Sequence, residues 1–175
     1  TTKEKRQGYY KTASVHGSLR PAVAYSMVML AETDSGKAIW DPFCGAGTIG
    51  CELTGHFRFK KLINSDISEE AIAAAKENFS NTKSFKTTKG KVSFRLEDFF
   101  ESKNFANIVI TNLPFGIQYE LGENFIPNFV KKLLEIKELE SVVLLYPTII
   151  PIGGFQLTSK FKIDLLGQEC WIQRH

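Results

Sequence analysis

Apolar and polar positions follow two alternating regimes along the 175 residues. Strands are expected near 38–43, 61–66, 92–98, 107–112 and 141–146, on short apolar runs such as Ala38-Ile39-Trp40 and on the alternating Val92-Ser93-Phe94-Arg95-Leu96. The stretches between them, near 20–32, 46–55, 68–79 and 123–137, have helical spacing, and Ser68-Glu69-Glu70 is a good helix opening before an alanine-rich segment. Such alternation predicts an α/β fold with a mostly parallel sheet and helices on both faces. Near the end, Lys160 to Leu166 and Gln168 to Arg174 flank Gly167 closely, which predicts a hairpin and therefore one antiparallel strand, seven strands in all. Pro147 to Gly154, rich in proline and glycine, interrupts the helix expected before that hairpin. Residues 1–16 read as a linker or tail and 17–175 as one domain, without repeats or low-complexity tracts.

Two loops in this pattern carry chemistry. In the first, Asp41-Pro42-Phe43-Cys44-Gly45-Ala46-Gly47-Thr48-Ile49-Gly50 follows an apolar strand and leads into a helix, with Gly45, Gly47 and Gly50 at G-x-G-x-x-G spacing. Such glycines allow a tight turn, close backbone approach to a ligand, and a helix N-terminus whose free N–H groups face it. Asp66 lies about 20 residues past the glycines, where an acid accepts from ribose hydroxyls. A nicotinamide dinucleotide and S-adenosylmethionine both satisfy this much. Asp41 separates them, because an acid ahead of the turn repels a pyrophosphate and attracts a cationic amino group. A turn or cap role next to Pro42 is the structural alternative for Asp41.

The second loop is Thr111-Asn112-Leu113-Pro114-Phe115-Gly116, at the carboxyl end of Asn107-Ile108-Val109-Ile110 and so on the functional rim of an open α/β sheet. The Asn112 amide oxygen and the Leu113 carbonyl, in a loop stiffened by Pro114, form a pair of acceptors for the two hydrogens of an exocyclic base amine. Phe115 is suited to stack on the ring. The alternative is an ordinary strand-ending turn with Phe115 in the core. Methylation of such an amine is an in-line displacement in which two acceptors draw the nitrogen towards sp³ geometry. The attacking group is neutral, so the absence of a His or Lys base near the loop is no obstacle, and positioning supplies most of the rate.

With both loops in place the chain resembles the class I methyltransferases, and within them the RNA guanine-N2 methyltransferases that usually carry an N-terminal THUMP domain. The resemblance covers nearly the whole chain and rests on Arg6-Gln7-Gly8-Tyr9-Tyr10, Gly17-Ser18-Leu19-Arg20-Pro21, Asp41 to Gly50 and Asn112 to Gly116. It implies a Rossmann-like fold with a C-terminal antiparallel hairpin, and S-adenosylmethionine as cofactor. It places Asp41, Gly45 and Gly47 at the methionine end, Asp66 at the ribose, and Asp98 with Phe99 at the adenine edge. Phe43, Thr48, Ile67 and Asn112 complete the cofactor set, with Ser18, Leu19 and Arg20 closing over it. Asn112, Leu113, Pro114 and Phe115 form the implied catalytic loop. Asp98 also stands on local grounds, because Glu97-Asp98 ends the alternating run Val92-Ser93-Phe94-Arg95-Leu96; Glu97 is its solvated counterpart. Arg20 has capping or pairing on the first helix as its alternative.

Two departures concern the substrate more than the reaction. The commoner motif is Asn-Pro-Pro-Tyr; here Leu113 replaces the first proline and Phe115 the tyrosine, so stacking is kept and a hydroxyl lost. The chain also has no room for a THUMP module beside one catalytic domain. RNA affinity is therefore expected from a separate THUMP domain or an activating subunit.

Composition changes the picture little. With 22 basic and 19 acidic residues the net charge of +3 gives mild support for a polyanionic partner. Lys83, Lys86, Lys89 and Lys91 crowd one loop, while Lys3, Lys5, Arg6 and Lys11 surround Gly8-Tyr9-Tyr10; both clusters are candidates for phosphate contact, with a solvated loop and a free tail as alternatives. No apolar run approaches membrane-spanning length and no signal peptide opens the chain, so the expected compartment is the cytoplasm. Cys44, Cys51 and Cys170 lack the number and spacing of a disulfide framework or zinc site, and His16, His56 and His175 are scattered, so no metal is expected. Cys44 reads as a small packing residue in preference to a nucleophile.

The expected activity is S-adenosylmethionine-dependent methylation of an exocyclic base amine in RNA, guanine N2 of tRNA first and rRNA second. Adenine-N6 methylation of RNA or DNA is the enzymatic alternative. A non-catalytic subunit with the same fold is the alternative of another class, and a nicotinamide oxidoreductase leaves the Asn112 loop without a purpose.

Overall fold

A computed structural model describes residues 10–82, 90–116, 122–165 and 167–175. The segment Arg6 to Tyr9, Lys3, Lys5, the lysines at 83, 86 and 89, and Leu166 lie outside the described residues.

In chain order the elements are α1 (Pro21–Leu30), β1 (Ala38–Asp41), α2 (Thr48–His56), β2 (Lys61–Asp66), α3 (Glu69–Ser80), β3 (Lys91–Leu96), β4 (Ile108–Asn112), α4 (Phe125–Leu134), β5 (Ser141–Tyr146), β6 (Ser159–Leu165) and β7 (Gln168–Arg174). Each of the five expected strands is present, and the buried stretches 38–40 of β1 and 142–145 of β5 are continuously apolar because helices or loops cover both faces. The Ser68 side chain accepts from the Ala71 N–H and caps α3.

The seven strands form one sheet in the order β3-β2-β1-β4-β5-β7-β6. β1 to β5 pair in parallel, and β7 runs antiparallel to both β5 and β6, so the expected hairpin carries the one reversed strand of the sheet. On one face, Met27 and Val28 of α1, Ile49 and Leu53 of α2 and Phe79 of α3 pack over Ile39, Leu62, Ile110 and Leu145. On the other face Phe129 and Leu133 of α4 pack over Trp40, Val109 and Leu144.

Between β5 and β6 the segment 147–158 is irregular, and Ile150 and Ile152 cover the sheet where a helix was interrupted. Gln173, fully buried on β7, holds this segment by accepting from the Ile150 N–H at 2.8 Å and donating to the Thr148 carbonyl at 3.0 Å. Loops can be buried only where such partners satisfy their backbone.

The reading of 1–16 as a tail does not hold for its described part. Tyr10 is buried and donates to Glu52 Oε1 at 2.6 Å. The buried Asn78 amide accepts from the N–H groups of Thr12 and Ala13 and donates to the carbonyls of Ala13 and Ala46. One side chain of α3 thus fastens residues 10–13 onto the glycine turn. Nothing in a polar segment such as Lys11-Thr12-Ala13-Ser14 signals a partner 65 residues away. Among the described residues no helix is long and apolar enough to cross a membrane.

At Gly50 the α2 backbone lies close against its neighbours: a Cβ there would lie 2.4 Å from Asn64 Oδ1 and 3.0 Å from the Phe79 ring. Gly50→Ala is expected to destabilise the domain by about 1–3 kcal/mol in urea unfolding. Gly153→Ala, which meets no atom within 4 Å, is expected to stay within about 0.5 kcal/mol.

Candidate functional site

Strand order reverses between β1 and β4, and a cleft of about 1200 Å³ opens at the carboxyl ends of β1 to β4 there. That is the position at which open α/β sheets bind ligands. Its floor is the turn from β1 to α2. The Gly47 N–H bonds the Cys44 carbonyl at 2.8 Å and the Cys44 N–H bonds the Ser65 carbonyl at 2.9 Å, which ties the turn to β2. Gly47, at φ +73°, lies where a Cβ would meet Ala75 Cβ at 3.0 Å, so both its conformation and its surroundings require glycine.

Asp66 leaves the end of β2 with both oxygens engaged, Oδ2 accepting from the Gly45 N–H at 2.9 Å and Oδ1 from the Ser68 N–H at 3.0 Å. Each carboxylate oxygen keeps a further lone pair for an incoming hydroxyl. Beside it Ile67 is a large apolar side chain left 72% exposed on the cleft wall, a surface suited to a flat ring. Glu97 and Asp98 both reach the cleft, but their environments differ. Glu97 is held by the Asn104 amide at 2.5 Å and lies 3.9 Å from Arg95, whereas among the described residues Asp98 bonds only the Phe100 N–H, through Oδ1 at 2.8 Å. Asp98 is therefore the acid with capacity to spare. The Phe99 ring is buried against Trp40, Phe43 and Phe129 and shapes the wall from within the core.

The opposite wall is the segment before α1. Ser18 closes a turn there, its Oγ accepting from the Val15 N–H at 3.0 Å. The Leu19 carbonyl accepts from Lys11 Nζ, and burial lowers the Lys11 pKa. Arg20 is exposed on the cleft and its side chain makes no capping bond to α1.

Asn112, Leu113, Pro114 and Phe115 line the cleft from the end of β4. Asn112 Oδ1 is buried and has no hydrogen-bond partner among the described residues. Leu113 is fully buried, and Phe115 is half-buried with its ring edge-on to Tyr146, the centroids 6.1 Å apart.

Asp41 and Gly47 do not reach the cleft wall. Asp41 is 1% exposed behind the turn, where its Oδ1 accepts from Thr111 Oγ1 at 2.8 Å and its Oδ2 has no hydrogen-bond partner among the described residues. Burial pushes this carboxyl up to about 7, against the lowering effect of the Thr111 bond. Burial likewise raises the Cys44 thiol well above its ordinary value, which keeps it protonated at neutral pH and agrees with a packing role. Phe43 and Thr48 line the floor. Sequence reasoning missed Val15, Phe125, Leu165 and Gln168, which also line the cleft. The last two come from the β6–β7 hairpin, and only the strand order brings them there.

The family model described as RMKL-like, methyltransferase domain matches residues 9–141. Among curated proteins, the U6 snRNA (guanine-N(2))-methyltransferase THUMPD2 of Bos taurus is 27% identical over 147 residues, covering 82% of this chain and 26% of that protein. The chain thus spans about a quarter of the length of this relative. Among solved structures, TrmN from Thermus thermophilus superposes with a TM-score of 0.72 at 21% identity, over 94% of this chain and 51% of its own. An RNA methyltransferase from Salinibacter ruber in complex with S-adenosyl-L-homocysteine gives 0.60 at 19% identity, over 87% and 88%. These two likenesses establish the class I methyltransferase fold.

Asp41 makes stability depend on pH in an unusual direction. Its folded pKa of about 7 exceeds the ordinary 3.8, so the folded protein holds a proton that the unfolded chain has lost. The stability from this group is complete below about pH 3.8 and is lost as pH rises to about 7. Asp41→Asn is expected to raise the melting temperature at pH 8 and to flatten the slope across that window in thermal unfolding. An unchanged slope would show that Asp41 does not titrate there.

Proposed function

We propose, from the premise that the chain belongs to the family of RMKL-like methyltransferase domains, that it methylates an exocyclic amine of a base in RNA, guanine N2 in particular, with S-adenosylmethionine as methyl donor. When bound, S-adenosylmethionine supplies a methyl group activated by its sulfonium. The residues present fit that cofactor. Asp66 has the lone pairs for ribose hydroxyls, Asp98 those for an adenine amino group, and Ile67 the apolar surface between them. Burial pushes the Asp41 carboxyl up to about 7, and a cationic amino group in front of the turn favours its ionised form, which then contributes negative potential towards that end; the exposed Arg20 is the cation suited to the cofactor's carboxylate.

The observation that carries the reading is Asn112 Oδ1, a buried acceptor on the cleft wall with no partner among the described residues. A buried polar atom without a partner costs free energy and is kept where a ligand completes it. A base amine donates one hydrogen to this oxygen and the second to the Leu113 carbonyl, and Phe115 covers the ring. The neutral amine needs no base before transfer, and the cationic product nitrogen releases its proton to solvent. Guanine is favoured over adenine by the relative whose name specifies guanine N2. Structured RNAs are the proposed substrates, tRNA first, with capture aided by a THUMP domain or activating subunit. The buried free thiols suit the cytoplasm as the proposed compartment.

The test is incubation with radiolabelled S-adenosylmethionine and unmodified transcripts of tRNA, rRNA and U6 snRNA, followed by digestion to nucleosides. Labelled N2-methylguanosine is expected; N6-methyladenosine would move the assignment to adenine, and no transfer with cofactor bound would favour a non-catalytic subunit. Asn112→Ala is expected to lower kcat about 10²–10³-fold with cofactor affinity within about threefold.

A further inference from the structure

Beyond the cleft, an aromatic series continues across the rim of the sheet from the Asn112 loop. Phe115 meets Tyr146 edge-on at 6.1 Å, and Tyr146 ends β5. On the neighbouring β7, Trp171 is the register partner of Tyr146, and cross-strand partners share a face and lie side by side. Lys162 of β6 is in turn the register partner of Trp171, and the Lys160 ammonium lies 5.5 Å from the centroid of the Trp171 ring. All three aromatics are half-buried, so each keeps part of its surface open.

Lys162 is neutralised by Glu169, but Lys160 has no ion-pair partner among the described residues. The series therefore ends in an uncompensated cation beside an indole. Neighbouring aromatics at increasing distance from a base-binding loop, finished by a cation, match the chemistry of single-stranded nucleic acid. Each base offers a π face to an aromatic side chain and each phosphate a charge to a lysine.

We propose that Tyr146, Trp171 and Lys160 form a stacking track for the unpaired nucleotides that flank the target base in RNA. The proposal rests on the reading of Asn112 and Phe115 as the base-binding loop, and it gives the β6–β7 hairpin a part in substrate binding. Tyr146 backs Phe115, Trp171 stacks a flanking base, and Lys160 contacts the adjoining phosphate. Paired RNA cannot use the track, because its bases are already stacked within the helix.

Tryptophan fluorescence reads this site directly, since the only other tryptophan, Trp40, is fully buried in the core. Titration of the purified protein with a single-stranded purine-rich oligoribonucleotide is expected to quench the emission, and the same sequence as a duplex is expected to quench it far less. In Trp171→Phe the quenching disappears while RNA KM stays within about threefold, because the ring still stacks. Trp171→Ala raises RNA KM about tenfold, within the range for loss of one base–aromatic stack, with kcat and cofactor affinity within about twofold. Lys160→Ala raises KM by a smaller factor and lessens its dependence on salt. No quenching by the single strand, equal quenching by the duplex, or a wild-type KM in Trp171→Ala would overturn the proposal. An absence of RNA methylation by the wild-type protein would count against the activity instead, and the fluorescence titration would still decide the stacking site.

Discussion

The hydrogen bond from Thr111 Oγ1 to Asp41 Oδ1, made in the interior where β1 and β4 end side by side, joins the two halves of the site. One half is the glycine turn that leaves Asp41, and the other is the loop that begins at Asn112. Both groups are buried, so the bond is not weakened by competing water, and neither end can move without exposing a polar atom to an apolar core. The relative placement of the turn and the Asn112 oxygen is fixed in this way before any ligand arrives. Positioning of that kind is what an in-line transfer needs most, because little other chemistry is asked of the protein.

Other parts of the fold hold these two loops in place. Asp66 and the Ser65 carbonyl anchor the turn from β2, and the Asn78 amide fastens the entry segment over it from α3. Gln173 plays a similar part on the far side, pinning the irregular segment after β5 to the sheet. Asn78 and Gln173 are buried polar side chains whose capacity is spent largely on backbone groups that no regular element satisfies. The site thus rests on a parallel sheet for its general placement and on a few side-chain-to-backbone bonds for its particular shape.

How far the sequence revealed this varies with the kind of feature. The strands and helices were readable because β1, β4 and β5 each carry a short apolar run, at 38–40, 108–110 and 142–145, and Ser68 marks a helix start by a local rule. The hairpin followed from two runs flanking Gly167, and the class I methyltransferase fold followed from the resemblance, while the order of the strands came only with the structure. The cleft residues at strand ends, Asp66, Asp98 and Asn112, were found because the carboxyl rim is where such sheets bind. What the sequence hid depends on distant partners. Residues 10–13 looked like a tail because their fastening lies on α3, and Leu165 and Gln168 reached the cleft only through the placement of β7 between β5 and β6. Asp41 was expected on the wall and lies behind it, a difference set by the direction of one side chain at a strand end.

The account turns on what the cleft holds, and a crystal structure of the protein with S-adenosylhomocysteine bound tests it most directly. The account predicts ribose hydroxyls on Asp66, the adenine amino group at Asp98 with the ring against Ile67, and the thioether sulfur facing Asn112 across the space for a base amine. A ligand seated elsewhere, or with its ribose away from Asp66 and its sulfur remote from Asn112, would contradict it.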